Sequence, residues 1–214
     1  SLQGQYTVLT KKFEAAHPGV KINISFGSSA TLANHINSGA PFDIFVSAAE
    51  LSMESAKSEV ANSTDYVVNE VVLAVPLNSQ IKKTIDLNSK VKWIRCARTV
   101  PCGIATDGAI SAENVIKSAP VSYESSASST LAKLLAGAVD AAILYKTDVI
   151  ANPTKIRAIT FADSKAASTQ YKIGLSKTAI ASKNRWVKRV FQYLQSTEIR
   201  IALAKAGFQV DSLR

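Results

Sequence analysis

The chain has 214 residues, of which 47% are hydrophobic and 19% charged, and it carries a formal net charge of +9. Such a hydrophobic share excludes disorder as the main state, and the length suffices for one large domain or two lobes of about 100 residues each. No apolar run approaches the roughly 20 residues that span a bilayer, so a soluble chain is expected; the sequence starts at Ser1 with no signal peptide visible.

The basic residues are scattered, as at Lys11, Lys12, Lys82, Lys83 and Lys117. Their densest group is Lys183, Arg185, Lys188 and Arg189, on a stretch that reads as one exposed helix face. Without a basic stripe joined to a recognition motif, no nucleic-acid partner is expected. A structural zinc site takes about four Cys or His ligands in paired spacing, and the two cysteines (Cys96, Cys102) and two histidines (His17, His35) do not show that pattern.

In chain order, Leu2 to Ala16 predicts a helix stopped by His17-Pro18-Gly19, and the alternating Val20–Phe26 predicts a strand. Ser29–Asn37 predicts a helix closed by Gly39, followed by a short strand at Asp43–Ser47. Strands follow at Val67–Val75, ended by Pro76, and at Val91–Ala97. Helices are predicted at Ile104–Lys117 and Ser128–Ala136, and strands at Ala141–Tyr145, Ile156–Phe161 and Tyr171–Leu175. The chain closes with helices at Asn184–Gln195 and Glu198–Ala206. Strands alternating with helices are the α/β pattern. The middle is a self-contained run, which predicts one lobe from 1–79 with 168–214 and another from 80–167. The crossings are then expected near 76–82 and 163–171.

Several helix starts carry serine or glycine. In Phe26-Gly27-Ser28-Ser29 a strand ends, a glycine turns the chain and a helix begins. Val100-Pro101-Cys102-Gly103, Ser125 to Ser129 and Ser1-Leu2 repeat the arrangement. The first amides of a helix lack intrahelical acceptors and sit at the positive end of its dipole, so such a start is an anion site. It is equally an ordinary N-cap. Tyr145 ends an apolar strand, where its hydroxyl either donates into a ligand crevice or meets water. An enzyme is not expected: Ser29 and His35 are about 600° apart around a helix. Asp43, Asp107, Asp140 and Asp148 are dispersed, and no phosphate loop or nucleophile-elbow motif is present.

Taken together, Phe13-Glu14-Ala15-Ala16-His17-Pro18-Gly19-Val20-Lys21, Phe26 to Leu32, Gly39-Ala40-Pro41-Phe42-Asp43-Ile44-Phe45-Val46-Ser47-Ala48, Val100 to Gly103, Ile143-Leu144-Tyr145-Lys146-Thr147-Asp148 and Ala206-Gly207-Phe208 closely resemble the molybdate- and tungstate-binding proteins of ABC importers. The resemblance runs along nearly the whole chain. It implies a two-lobed, type II periplasmic-binding-protein fold with a ligand cleft between the lobes, which close around the ligand. It also implies neutral hydrogen-bond donors to a molybdate or tungstate oxyanion, with no bare-cation site and no cofactor. The implied ligand set is Ser1, Ser29, Cys102, Ala127 and Tyr145. The serines would use hydroxyl and amide, Cys102 and Ala127 their amides, and Tyr145 its hydroxyl. Cys102 stands where the family often has alanine, and Trp93 to Arg98 departs from the family's usual run. Arg95 and Arg98 either add positive potential near the cleft or face water. An exported protein meets an oxidising compartment, so Cys96 and Cys102 are expected to pair as a disulfide. Further expectations are a monomer, a membrane permease as partner, and a place in the periplasm or at the cell surface as a lipoprotein. The alternatives are a binding protein for another tetrahedral oxyanion such as sulfate, or an effector-sensing domain of the same fold.

Overall fold

The computed structural model describes residues 2–114, 116 and 118–210. In chain order its elements are α1 (Gln3–Ala16), α2 (Ser29–Asn37), β1 (Ile44–Ser47), α3 (Glu50–Ser55), β2 (Val60–Pro76), β3 (Trp93–Cys96), α4 (Pro101–Glu113), β4 (Ser122–Glu124), α5 (Ala127–Leu135), β5 (Ala141–Tyr145), α6 (Lys146–Ile150), β6 (Ile156–Ile159), β7 (Ser168–Ser176), α7 (Lys177–Ser182), α8 (Arg185–Leu194) and α9 (Thr197–Lys205). The chain divides into two compact units: a first of Leu2–Val68 with Gln170–Arg214, and a second of Asn69–Thr169. The earlier crossing therefore falls inside β2 and not at residue 79. β2 is one continuous strand of 17 residues whose two ends have different partners. Val68 bridges to Gln209, while Val71 onwards pairs with β5.

In the first unit β1 runs antiparallel to β7, from Ile44 opposite Leu175 to Ser47 opposite Lys172. Tyr6, Leu9 and Phe13 recur at helical spacing on α1. They pack with Tyr66, Tyr171 and Ile173 and with Val190, Leu194, Ile199 and Leu203 of α8 and α9. Ala33 and Ile36 of α2 form a smaller cluster with Phe45, Met53 and Val60. The strand expected at Val20–Phe26 is not formed. Val20, Ile22 and Ile24 do pack on the core in alternation, but this stretch has no strand ladder. Alternation records which side faces the core, and a strand also needs a partner.

The second unit holds a sheet in the order β6-β2-β5-β3-β4. β2 is antiparallel to β5 and to β6, whereas β3 is parallel to β5 and to β4. Odd and even residues of the two central strands join different cores. Val71, Leu73, Ile143 and Tyr145 pack with Cys102, Ala105 and Ala109 of α4. Val72, Ala74, Ala142 and Leu144 pack with Leu134 of α5. Covering both faces is what the unbroken apolar runs require. α4 begins at Pro101, three residues before the expected start, because proline's fixed φ and missing N–H suit the first helical position.

The Tyr66 hydroxyl donates to the Leu194 carbonyl at 2.7 Å and so caps one of the last carbonyls of α8. Burial pushes its pKa up to about 12 from 10.0. Between those values the unfolded chain releases this proton and the folded chain holds it. The stabilisation is therefore complete below pH 10 and is lost as pH rises through 12. Two units at 1.36 kcal/mol each put the loss at about 2–3 kcal/mol. Tyr66→Phe should cost about 1 kcal/mol at neutral pH and flatten this alkaline decline, as urea titrations at pH 8 to 12 will record.

Candidate functional site

Three of the residues singled out in the sequence come to one edge of the second unit. β5, β3 and β4 are mutually parallel neighbours, so their carboxyl ends lie side by side. Tyr145 ends β5, the loop after β3 leads to Cys102 in the first turn of α4, and the loop after β4 leads to Ala127 at the start of α5. Open α/β sheets bind ligands beyond the carboxyl ends of their strands.

Each helix start leaves particular donors over. In α4, Pro101 has no N–H, and the amides of Gly103 and Ile104 both donate to the Val100 carbonyl, at 2.9 and 3.0 Å. Among the described residues, the amide left in that turn is that of Cys102. In α5, Ser126 is the N-cap: its hydroxyl accepts from the Ser129 amide at 3.1 Å, and its carbonyl accepts from the Thr130 amide. Among the described residues, the amides of Ala127 and Ser128 remain. Tyr145 is buried within the α4-side core.

The loop bearing Cys102 is held from several sides. Cys96 and Cys102 form a disulfide between the end of β3 and α4, and the Cys96 sulfur lies 3.6 Å from the Thr130 hydroxyl of α5. A Cβ on Gly103 would stand 1.8 Å from the Ala97 carbonyl oxygen, so α4 starts in direct backbone contact with the loop after β3. Arg95 is 2% exposed and neither faces water nor lends a free charge to the surface. It donates to the carbonyls of Cys96 (3.2 Å) and Gly103 (2.6 Å) and to the Asp107 carboxylate (2.7 Å). The composition around it carried a signal: Trp93, Ile94 and Cys96 are all apolar, and a strand covered on both faces offers its arginine no side open to water. Arg98, by contrast, has a 68% exposed side chain.

Two carboxylates of this unit are paired with lysines and a third is buried. Lys133, then Ser122, hold Glu124 below the usual carboxylate range. Lys146 pairs with Glu70 at 2.5 Å, and burial pushes Asp148 up, disfavouring its charge.

In the first unit, Ser28 and not Ser29 caps α2, accepting from the Thr31 amide at 3.2 Å. The Ser29 hydroxyl accepts from the Ala48 amide at 2.8 Å, which fixes its oxygen and leaves its own hydrogen to donate. Ser1 lies outside the described residues.

Over residues 1–209 the sequence matches the family described as bacterial extracellular solute-binding protein, and the chain belongs to that family. It is 31% identical over 183 residues to the molybdate-binding protein ModA of Mycobacterium tuberculosis, across 83% of this chain and 70% of that protein. To YvgL of Bacillus subtilis, whose name places it among the substrate-binding lipoproteins of ABC transporters, it is 28% identical over 99% of this chain and 84% of that protein. The periplasmic molybdate-binding protein of Azotobacter vinelandii superposes with a TM-score of 0.80 at 16% identity, over 99% of this chain and 96% of that one. The shared fold is the two-lobed, type II periplasmic-binding-protein fold.

Gly103→Ala should cost about 3 kcal/mol, the upper end for overpacking, because the added methyl meets backbone that cannot swing aside. The fall in urea midpoint at unchanged slope measures it, and a midpoint equal to the parent's would contradict the close approach.

Proposed function

We propose that the protein is the extracytoplasmic solute-binding component of an ABC importer, and that its ligand is molybdate or tungstate. The observation that carries this reading is the convergence of the left-over Cys102 and Ala127 amides with Tyr145 at one sheet edge, in a chain 31% identical to a molybdate-binding protein. The donor set we assign is the hydroxyl and amide of Ser29, the amides of Cys102 and Ala127, and the hydroxyl of Tyr145. Ser1 joins it on resemblance alone. These are neutral donors at or near positive helix ends, which suits a dianion through charge-assisted hydrogen bonds. The reading assigns no catalytic step, no bare-cation site and no cofactor. The protein works as a monomer in the periplasm, or tethered to the membrane as a lipoprotein, and delivers its ligand to a membrane permease.

A hydrogen bond to a charged group contributes roughly 1.5–3 kcal/mol, and a decade of affinity corresponds to about 1.4 kcal/mol. Ser29→Ala and Tyr145→Phe should therefore each weaken molybdate binding about tenfold to a hundredfold in isothermal titration. In a thermal-shift comparison, molybdate and tungstate should raise the melting temperature more than equal concentrations of sulfate or phosphate. A response to sulfate alone would instead favour a sulfate-binding protein. Unchanged affinity in both variants would move the site elsewhere in the chain.

A further inference from the structure

We infer that Arg95 is a positioning residue for the oxyanion site: from inside the second unit, it and the Cys96–Cys102 disulfide hold the α4 turn that presents the Cys102 amide. This rests on the reading of Cys102 as a ligand donor.

The geometry is specific. An arginine at 2% exposure is rare unless its donors are met, and here all three nitrogens are engaged. Nε donates to the Cys96 carbonyl, Nη2 to the Gly103 carbonyl and Nη1 to Asp107. Two of these acceptors flank the turn in question: Cys96 is the last residue of β3, and Gly103 follows Cys102. Asp107 lies one helical turn further along α4. The guanidinium is also 5.9 Å from the centre of the Tyr123 ring on β4, the strand that leads to Ala127. One buried side chain thus ties β3 to α4 and touches β4.

The disulfide joins two of the same places, the end of β3 and the first turn of α4. Thr106 adds a third tie, its hydroxyl donating to the Cys102 carbonyl at 2.7 Å. Asp107 pairs with Arg95 at 2.7 Å and also lies 3.7 Å from the Arg98 guanidinium; Arg95 spends its donors on acceptors inside the unit, so its contribution to binding is one of geometry. An amide that already points where the oxyanion will sit needs no ordering on binding, which is how preorganisation raises affinity. Two restraints on one turn are partly redundant. Removing either leaves the other in place, and removing both releases the turn.

A double-mutant cycle reads this directly. Molybdate affinity is measured by isothermal titration on the parent and on Arg95→Lys, each oxidised and each after reduction and alkylation. Circular dichroism and the ligand-free melting temperature are recorded alongside. Arg95→Lys keeps the buried cation but loses the fork that reaches both carbonyls. Either change alone should weaken binding about threefold to tenfold. Both together should weaken it by more than the product of the two, with the loss persisting at temperatures well below melting, where all four forms are folded. A purely structural arginine would lower the melting temperature and leave the affinity of the folded protein unmoved, and that result overturns the inference. So does a combined loss no greater than the product. Cys96→Ser/Cys102→Ser with and without Arg95→Lys repeats the cycle should alkylation perturb the fold. If the parent itself fails to bind molybdate, the ligand assignment has failed and not the positioning argument. In that case, hydrogen exchange of the Cys102 amide across the same four forms tests the restraint itself. Faster exchange beyond the two single effects supports it, and unchanged exchange refutes it.

Discussion

A helix start presents an anion with donors only if nothing inside the protein has taken them, and only if they hold still. Hydrogen-bond economy is strict in folded chains, where nearly every buried amide finds an acceptor. The second unit satisfies both conditions at α4 by removing alternatives. Proline at the first position contributes no N–H, the Val100 carbonyl absorbs the next two amides beyond Cys102, and the Cys102 amide is left. At α5 the paired serines at 126 and 129 use up the cap, which leaves Ala127 and Ser128. The same logic appears in the first unit, where Ser28 does the capping so that Ser29 is not consumed by it.

Holding still is a matter of packing. α4 approaches its surroundings through glycine twice: a Cβ on Gly103 would meet the Ala97 carbonyl oxygen, and one on Gly108 would stand 2.4 Å from the Ala166 carbonyl oxygen. Backbone-to-backbone contact leaves little room for the helix to slide or tilt. β3 and β5 beneath it are fully buried and covered on both faces, so the strand ends that carry the loops are fixed as well. Interiors packed to crystal-like density transmit such restraint over several residues.

Much of this was legible from residues alone, and the exceptions have physical causes. β5 reads correctly because five consecutive apolar residues bounded by Asp140 and Lys146 admit little else. α2 reads correctly because its serine start and glycine stop are both local signals. The disulfide follows from compartment and proximity. Val20–Phe26 misleads because alternation reports burial, and ladder partners come from elsewhere in the chain. β4, at three residues, is too short to show a period, and α3, α6 and α7 have five or six residues each, below what helical spacing can reveal. The crossing within β2 is hidden for the opposite reason: the strand is continuous, so no turn residue marks the division. Arg95 is the case where tertiary context reverses the prior for a residue type. Arginine is ordinarily exposed, and only its place between apolar strand neighbours hints that this one is not.

The chain is basic overall, at +9, yet the assigned donors are amides and hydroxyls, and the buried Arg95 is paired with Asp107. Positive charge spread over the surface attracts any anion and speeds encounter without choosing among them. Choice falls to the donors. Glu124 and Glu70 are paired with lysines, so neither stands as an open acceptor. Amides can only donate, so a tetrahedral oxyanion that has shed its protons meets them with every oxygen accepting. A monoprotonated phosphate brings one hydrogen that needs an acceptor, and a buried donor left without a partner costs about 1–3 kcal/mol. On the donor set assigned above, the amides would therefore favour a bare dianion over its protonated counterpart through hydrogen-bond polarity, with no cationic side chain in the set.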